Sequence, residues 1–135
     1  MIGVVVATHG NFGPCLLSTL QMIYGGTEGM VAVSLESEDS LEVFQEKLDS
    51  ALKRVDPQST GALVLVDMLG GTPFNVAMRM APTTKLRVVT GVNLPMLIKI
   101  ASHREEPDLD AFTQEIQEAT RESIITSVEL FKKQP

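Results

Sequence analysis

Two kinds of apolar pattern alternate along this chain, and that alternation restricts its fold more than any other feature. Four short runs, Ile2–Ala7 (IGVVVA), Met30–Leu35 (MVAVSL), Ala62–Val66 (ALVLV) and Leu86–Thr90 (LRVVT), punctuate the sequence. Three of them are almost continuously apolar, as strands buried on both faces should be. Helical spacing fills the gaps. Leu16, Leu20, Ile23 and Tyr24 recur three and four apart, and so do Leu41, Phe44, Leu48, Leu52 and Val55, with charged residues opposite. Asp39 followed three residues later by Glu42 has the form of a capping box. In "GGTPFN", Thr72 is placed to cap a third helix and Pro73 to take its first position. A fourth helix is expected after Asn93 and a fifth after Asp108. The β-α-β-α order predicts an α/β fold with a mostly parallel open sheet and helices on both faces.

The tail reads two ways. Leu109, Phe112, Ile116 and Ala119 keep helical spacing, after which Ile124, Thr126, Val128 and Leu130 alternate. The helix either continues or gives way near Ser123 to a strand.

Bulk properties set outer bounds. The 135 residues fit one domain, 44% apolar and 21% charged, with no internal repeat or low-complexity segment. A formal charge of −6, spread without long like-charge runs, argues against a nucleic-acid surface, which would want a basic face. Cys15 is the only cysteine, so no internal disulfide forms, and its place in an apolar helical pattern predicts a packing role. No apolar run reaches the ~18 residues of a membrane span, and the N-terminus lacks the features of a secretory signal. A cytoplasmic protein is expected.

In an open α/β sheet, ligands bind beyond the carboxyl ends of the strands where strand order reverses. For the common order 2-1-3-4 that point lies between strands 1 and 3. The residues just past those strands are Thr8-His9-Gly10 and Asp67-Met68-Leu69-Gly70-Gly71. A carboxylate accepting one imidazole N–H sets the tautomer, leaves the other nitrogen free to attack, and stabilises charge developing on the ring. Gly10 leaves space beside His9. Gly70 and Gly71 allow close approach of an anion and lead into a helix N-terminus, which favours negative charge. Thr72 adds a hydroxyl. A phosphoryl group is the natural occupant.

Other motifs carry less. "GGTPFN" is not a Walker loop, since no Lys-Ser/Thr pair follows the glycines, and no G-x-G-x-x-G follows the first strand. "YGGTEG" follows a helix and reads as a connection. His103, in polar "SHREEP", reads as a solvated loop residue, and two histidines at unrelated spacing make a poor metal site. The scattered methionines read as core fillers.

"VVVATHG", "LVDMLGGTPFN" and "GVNLPML" together closely resemble the enzyme IIA component of the mannose/fructose/sorbose class of the bacterial sugar phosphotransferase system. The resemblance extends over essentially the whole chain. It implies a phosphoryl carrier that accepts from the phosphocarrier HPr and donates to a histidine of enzyme IIB, which serves membrane components IIC and IID. It assigns the phosphorylated histidine to His9, the orienting carboxylate to Asp67 and the hydroxyl of "GG[S/T]PFN" to Thr72, with Nε2 as the phosphorylated atom. No metal or other cofactor is implied. A homodimer is implied, with a C-terminal antiparallel strand exchanged onto the partner's sheet, which favours the strand reading of Ser123–Leu130. The domain is expected to span residues 1–135, either as a separate IIA protein or as a piece of one fused to IIB. Three other readings compete: the phosphotransfer subunit of dihydroxyacetone kinase, a phosphorylatable regulatory module, and a non-catalytic anion-binding domain.

Overall fold

A computed structural model describes residues 1–132 of the protein; the expected domain end at Pro135 lies outside the described residues. The four apolar runs form strands β1 (Gly3–His9), β2 (Met30–Leu35), β3 (Ala62–Val66) and β4 (Leu86–Thr90). All pairings are parallel and the order is β2-β1-β3-β4, as expected. The helices are α1 (Phe12–Ile23), α2 (Leu41–Val55), α3 (Thr72–Met80), α4 (Leu94–Ser102), α5 (Leu109–Ser123) and a short α6 (Ser127–Lys132).

Most of the strand sequence is apolar because both faces of the sheet are covered. Val4, Val6, Leu63 and Leu65 pack under Leu16 and Leu20 of α1, Met96, Leu97 and Ile100 of α4, and Phe112 and Ile116 of α5. Val5, Ala7, Val64 and Val66 face the opposite way, onto Phe44 and Leu48 of α2 and Val76 and Ala77 of α3. Alternate residues of one strand thus feed two separate cores, which polar residues at those positions would disrupt.

Helix starts follow local chemistry. Asn93 accepts from the Met96 N–H at 2.9 Å, and Asp108 accepts from the Asp110 and Ala111 N–H groups at 2.9 and 3.1 Å. Two expected caps shift by one residue. α2 is capped by Ser40, whose Oγ accepts from the Val43 N–H at 3.1 Å, because Asp39 is held instead by Lys47 Nζ (2.6 Å) and the Glu36 N–H (2.9 Å). At α3 the N-cap is Gly71, with no side-chain cap bond; Thr72 and Pro73 are the first two helical residues.

Cys15 is exposed rather than packed, since Leu16 and Leu20 hold the core-facing stripe and the residue before Leu16 is turned aside by the helical period. On α5 the fourth core position is Thr120 rather than Ala119, its hydroxyl satisfied by the Ile116 carbonyl at 2.7 Å.

The strand expected over Ser123–Leu130 is absent from the single chain. α5 runs through Ser123, and after a short break α6 forms with no buried residue. An alternating segment makes a stable strand only against a second backbone. Without one, local bonds win: Thr126 accepts from the Leu130 N–H through its carbonyl (3.1 Å) and from the Glu129 N–H through its hydroxyl (3.2 Å).

Candidate active site at the mouth of the sheet

The apolar interior of β1 ends at His9, whose side chain is the strand's first exposed one. It emerges on the α2/α3 side of the sheet, continuing the Val5–Ala7 face. Thr8 points the other way and is fully buried, with its Oγ1 accepting from the Gly13 N–H at 2.7 Å. That bond ties the end of β1 to the first turn of α1 and sets the path of the loop carrying His9. Sequence reading placed Thr8 and His9 just past the first strand and gave Thr8 no role of its own; both belong to β1.

Asp67 follows the last residue of β3. Because Ala7 pairs with Val66, the parallel register delivers Asp67 beside His9 although 58 positions separate them. One carboxylate oxygen takes both bonds: Asp67 Oδ2 accepts from His9 Nδ1–H at 2.8 Å and from the His9 backbone N–H at 3.1 Å. The side chain and the main chain of His9 are therefore gripped by the same atom. Asp67 Oδ1 is buried and has no hydrogen-bond partner among the described residues. Partial burial pushes the Asp67 carboxyl up, but the bonds from His9 outweigh it and hold the group below the usual carboxylate value. Asp67 thus stays charged at neutral pH, and His9 Nδ1 carries the proton that Oδ2 receives.

The tautomer leaves Nε2 with its lone pair directed away from Asp67. His9 is 46% exposed where Asp67 is 15%. An open groove of about 760 Å³ begins at the ring and runs between Gly10, Thr72 and the β2–α2 connection, Leu35 to Leu41.

The expected glycines take different parts. Gly10 has φ +53, and its N–H donates to the Leu35 carbonyl at 2.9 Å, so it contributes openness rather than a free donor. Gly70 turns the chain at φ +82, and its carbonyl accepts from Asn75 Nδ2 at 3.2 Å, a supporting contact that sequence reading also passed over. Gly71 and Thr72 open α3, and Gly71 lies close against the ring, which brings the positive end of the helix dipole near it. The six expected site residues are therefore brought together at one end of the sheet.

His103 is not part of this cluster. It ends α4 and contacts Ser102, Lys99 and Glu115. It stands in the connection after α4, as expected, and is 40% exposed, but its ring is bonded rather than freely solvated.

A family model described as "PTS system fructose IIA component" matches residues 3–117. The chain belongs to this family. It is similar to the PTS system fructose-specific EIIA component of Bacillus subtilis, at 32% identity over 98% of this chain and 91% of that protein. It is also similar to the PTS system mannose-specific EIIAB component of Escherichia coli K12, at 33% identity over 91% of this chain but 38% of the longer protein. The mannose/sorbose specific IIA subunit of Enterococcus faecalis shares its fold with a TM-score of 0.83, 33% identity and 93% coverage of both chains. As an enzyme IIA of the mannose class, the chain has a phosphoryl carrier role in a sugar phosphotransferase system. Among the described residues, no helix is long and apolar enough to cross a membrane.

Proposed function

We infer that the protein is a cytoplasmic protein-histidine phosphotransferase that carries a phosphoryl group on Nε2 of His9, from phosphorylated HPr to a histidine of enzyme IIB. The 2.8 Å bond from His9 Nδ1 to Asp67, with Nε2 open to the groove, carries this reading. The Nε2 lone pair attacks phosphorus in line with the donor's P–N bond. That bond breaks, the donor imidazole keeps the electron pair, and the new P–N bond leaves His9 with a positive ring whose Nδ1–H still faces the Asp67 carboxylate. The N–H groups at the start of α3, together with Gly70, Gly71 and the Thr72 hydroxyl, spread the charge of the transferring group. Transfer to IIB repeats the step in the opposite sense, with His9 as the leaving imidazole. Onward delivery to sugar would proceed through membrane IIC and IID components.

A homodimer completes the reading. β4 is an open sheet edge, and a cleft of about 360 Å³ lies along it, lined by Val88, Thr90, Thr113, Gln117, Arg121 and Ile124. Ile124, Val128, Leu130 and Phe131 are exposed on the single chain. Exchange of this tail as an antiparallel strand onto a partner's β4 would cover both surfaces.

The test is phosphoryl transfer from phosphorylated HPr, with purified IIB as acceptor. Label is expected on the wild type, none on His9→Ala, and discharge on adding IIB. Undiminished label on His9→Ala overturns the assignment, and discharge only by dihydroxyacetone kinase subunits reassigns the partner.

A further inference from the structure

Two adjacent glycines follow Asp67, and they are glycines for different physical reasons. Gly70 has φ +82, a conformation that side chains resist, with open space around it. Gly71 has φ −78 and ψ 169, ordinary extended backbone that any residue adopts. Nothing about its conformation calls for glycine. Its surroundings do. A methyl group at Gly71 would lie 2.9 Å from His9 Cε1, 3.5 Å from Nε2 and 3.3 Å from Met68 Cγ. Cε1 is the ring edge between the nitrogen bonded to Asp67 and the nitrogen left free.

The geometry points to Gly71 as a positioning residue for His9: its bare Cα is the stop against which the imidazole rests while Asp67 holds Nδ1. This rests on the reading of His9 as phosphoryl acceptor and adds what keeps the ring aimed. A side chain at position 71 forces something to move, and the candidates are unequal. The backbone is anchored, since the Gly71 carbonyl accepts the Asn75 N–H at 2.9 Å and the Gly70 carbonyl accepts Asn75 Nδ2 at 3.2 Å. Backing away would break the first turn of α3. Movement of Met68 relieves nothing at Cε1. The half-exposed ring is free to swing into solvent, and in doing so it gives up the 2.8 Å bond to Asp67. Substitution therefore spares the fold and spoils the aim of Nε2.

The experiment compares Gly71→Ala with Gly70→Ala, reading three quantities: the unfolding midpoint, the hydrogen-bonded Nδ1 proton and ring nitrogen shifts of His9 by NMR, and the rate of His9 phosphorylation by phosphoramidate, a small donor that needs no protein docking. Gly71→Ala is expected to keep the midpoint, lose the Nδ1 proton signal and slow phosphorylation at least about 10²-fold, the cost of a misplacement of about 1 Å. Gly70→Ala is expected to lower the midpoint and keep the Nδ1 signal. In an Asp67→Ala background the ring is already loose, so Gly71→Ala should add little. A wild-type Nδ1 signal in folded Gly71→Ala, or an undiminished Gly71→Ala effect without Asp67, overturns the proposal. Failure of the reading beneath it looks different: wild-type protein would take no phosphate on His9, whereas the NMR comparison would still report on Gly71.

Discussion

The two histidines have much in common and end in opposite situations. Both stand at the end of a regular element, His9 closing β1 and His103 capping α4, with side chains 46% and 40% exposed. Each has a carboxylate nearby, Asp67 at 2.8 Å and Glu115 at 3.6 Å. The difference is in the nitrogens. His9 spends Nδ1 on Asp67 and leaves Nε2 open. His103 uses both, because Ser102 Oγ lies 2.8 Å from Nδ1 and Lys99 Nζ 3.2 Å from Nε2. Ser102 Oγ–H already donates to the Lys99 carbonyl at 2.9 Å, so it accepts from Nδ1–H, which makes Nε2 the acceptor for Lys99. Exposure and a neighbouring carboxylate do not make a nucleophile. Under the proposed function it is the unengaged Nε2 that lets His9 accept, while the helix N-terminus favours the anion it would receive.

The sharpest break in this comparison comes from exchanging either histidine for alanine and measuring acceptance from phosphorylated HPr. His9→Ala should lose it entirely and His103→Ala should keep it; label surviving in the first or vanishing in the second would falsify the contrast. Next in size is Asp67→Ala, expected to slow acceptance about 10²-fold, within the range for lost proton and charge management at a catalytic imidazole. The Glu115→Ala counterpart should leave the rate alone. Thr8→Val strikes only the His9 region. It strands the buried Gly13 N–H, so chemical denaturation should show a loss of about 1–3 kcal/mol. A smaller effect should appear with diethyl pyrocarbonate, which modifies free imidazole nitrogens. His9 should react before His103, and a Lys99→Ala/Ser102→Ala double variant should bring His103 closer to His9; equal rates in the native protein would contradict the proposed engagement. The smallest effect is on pH dependence. The Asp67 carboxyl is held below its usual value of ~3.9, so its contribution to stability is complete above that value and fades as pH falls through the lowered one. Asp67→Asn should flatten that part of the acid-unfolding curve.

The fold was legible to the extent that its causes are local. Short apolar runs, three of them almost continuous, marked the four strands because a sheet covered on both faces admits little else, and Asn93 and Asp108 marked helix starts because a cap acts over three residues. One expected cap failed as a signal because a group from elsewhere intervened. Asp39 looked like a cap until Lys47, packed from α2, claimed it. The tail was not legible either, since the alternation of Ile124–Leu130 suits a strand that needs a second backbone, whereas the single chain forms a short helix over Ser127–Lys132.

The candidate site divides the same way. By itself, the sequence determined the two loops, the residues in them, and, through the switch-point rule for parallel sheets, that His9 and Asp67 would meet. Only the tertiary structure decided that a single oxygen of Asp67 takes both His9 bonds, that Thr8 locks the loop from behind, and that Gly71 is glycine for space while Gly70 is glycine for its turn. Backbone conformation and hydrophobic period are written over a few neighbouring residues. Hydrogen-bond sharing and ångström-scale clearance arise between segments dozens of residues apart, and they exist only once the sheet has brought those segments together.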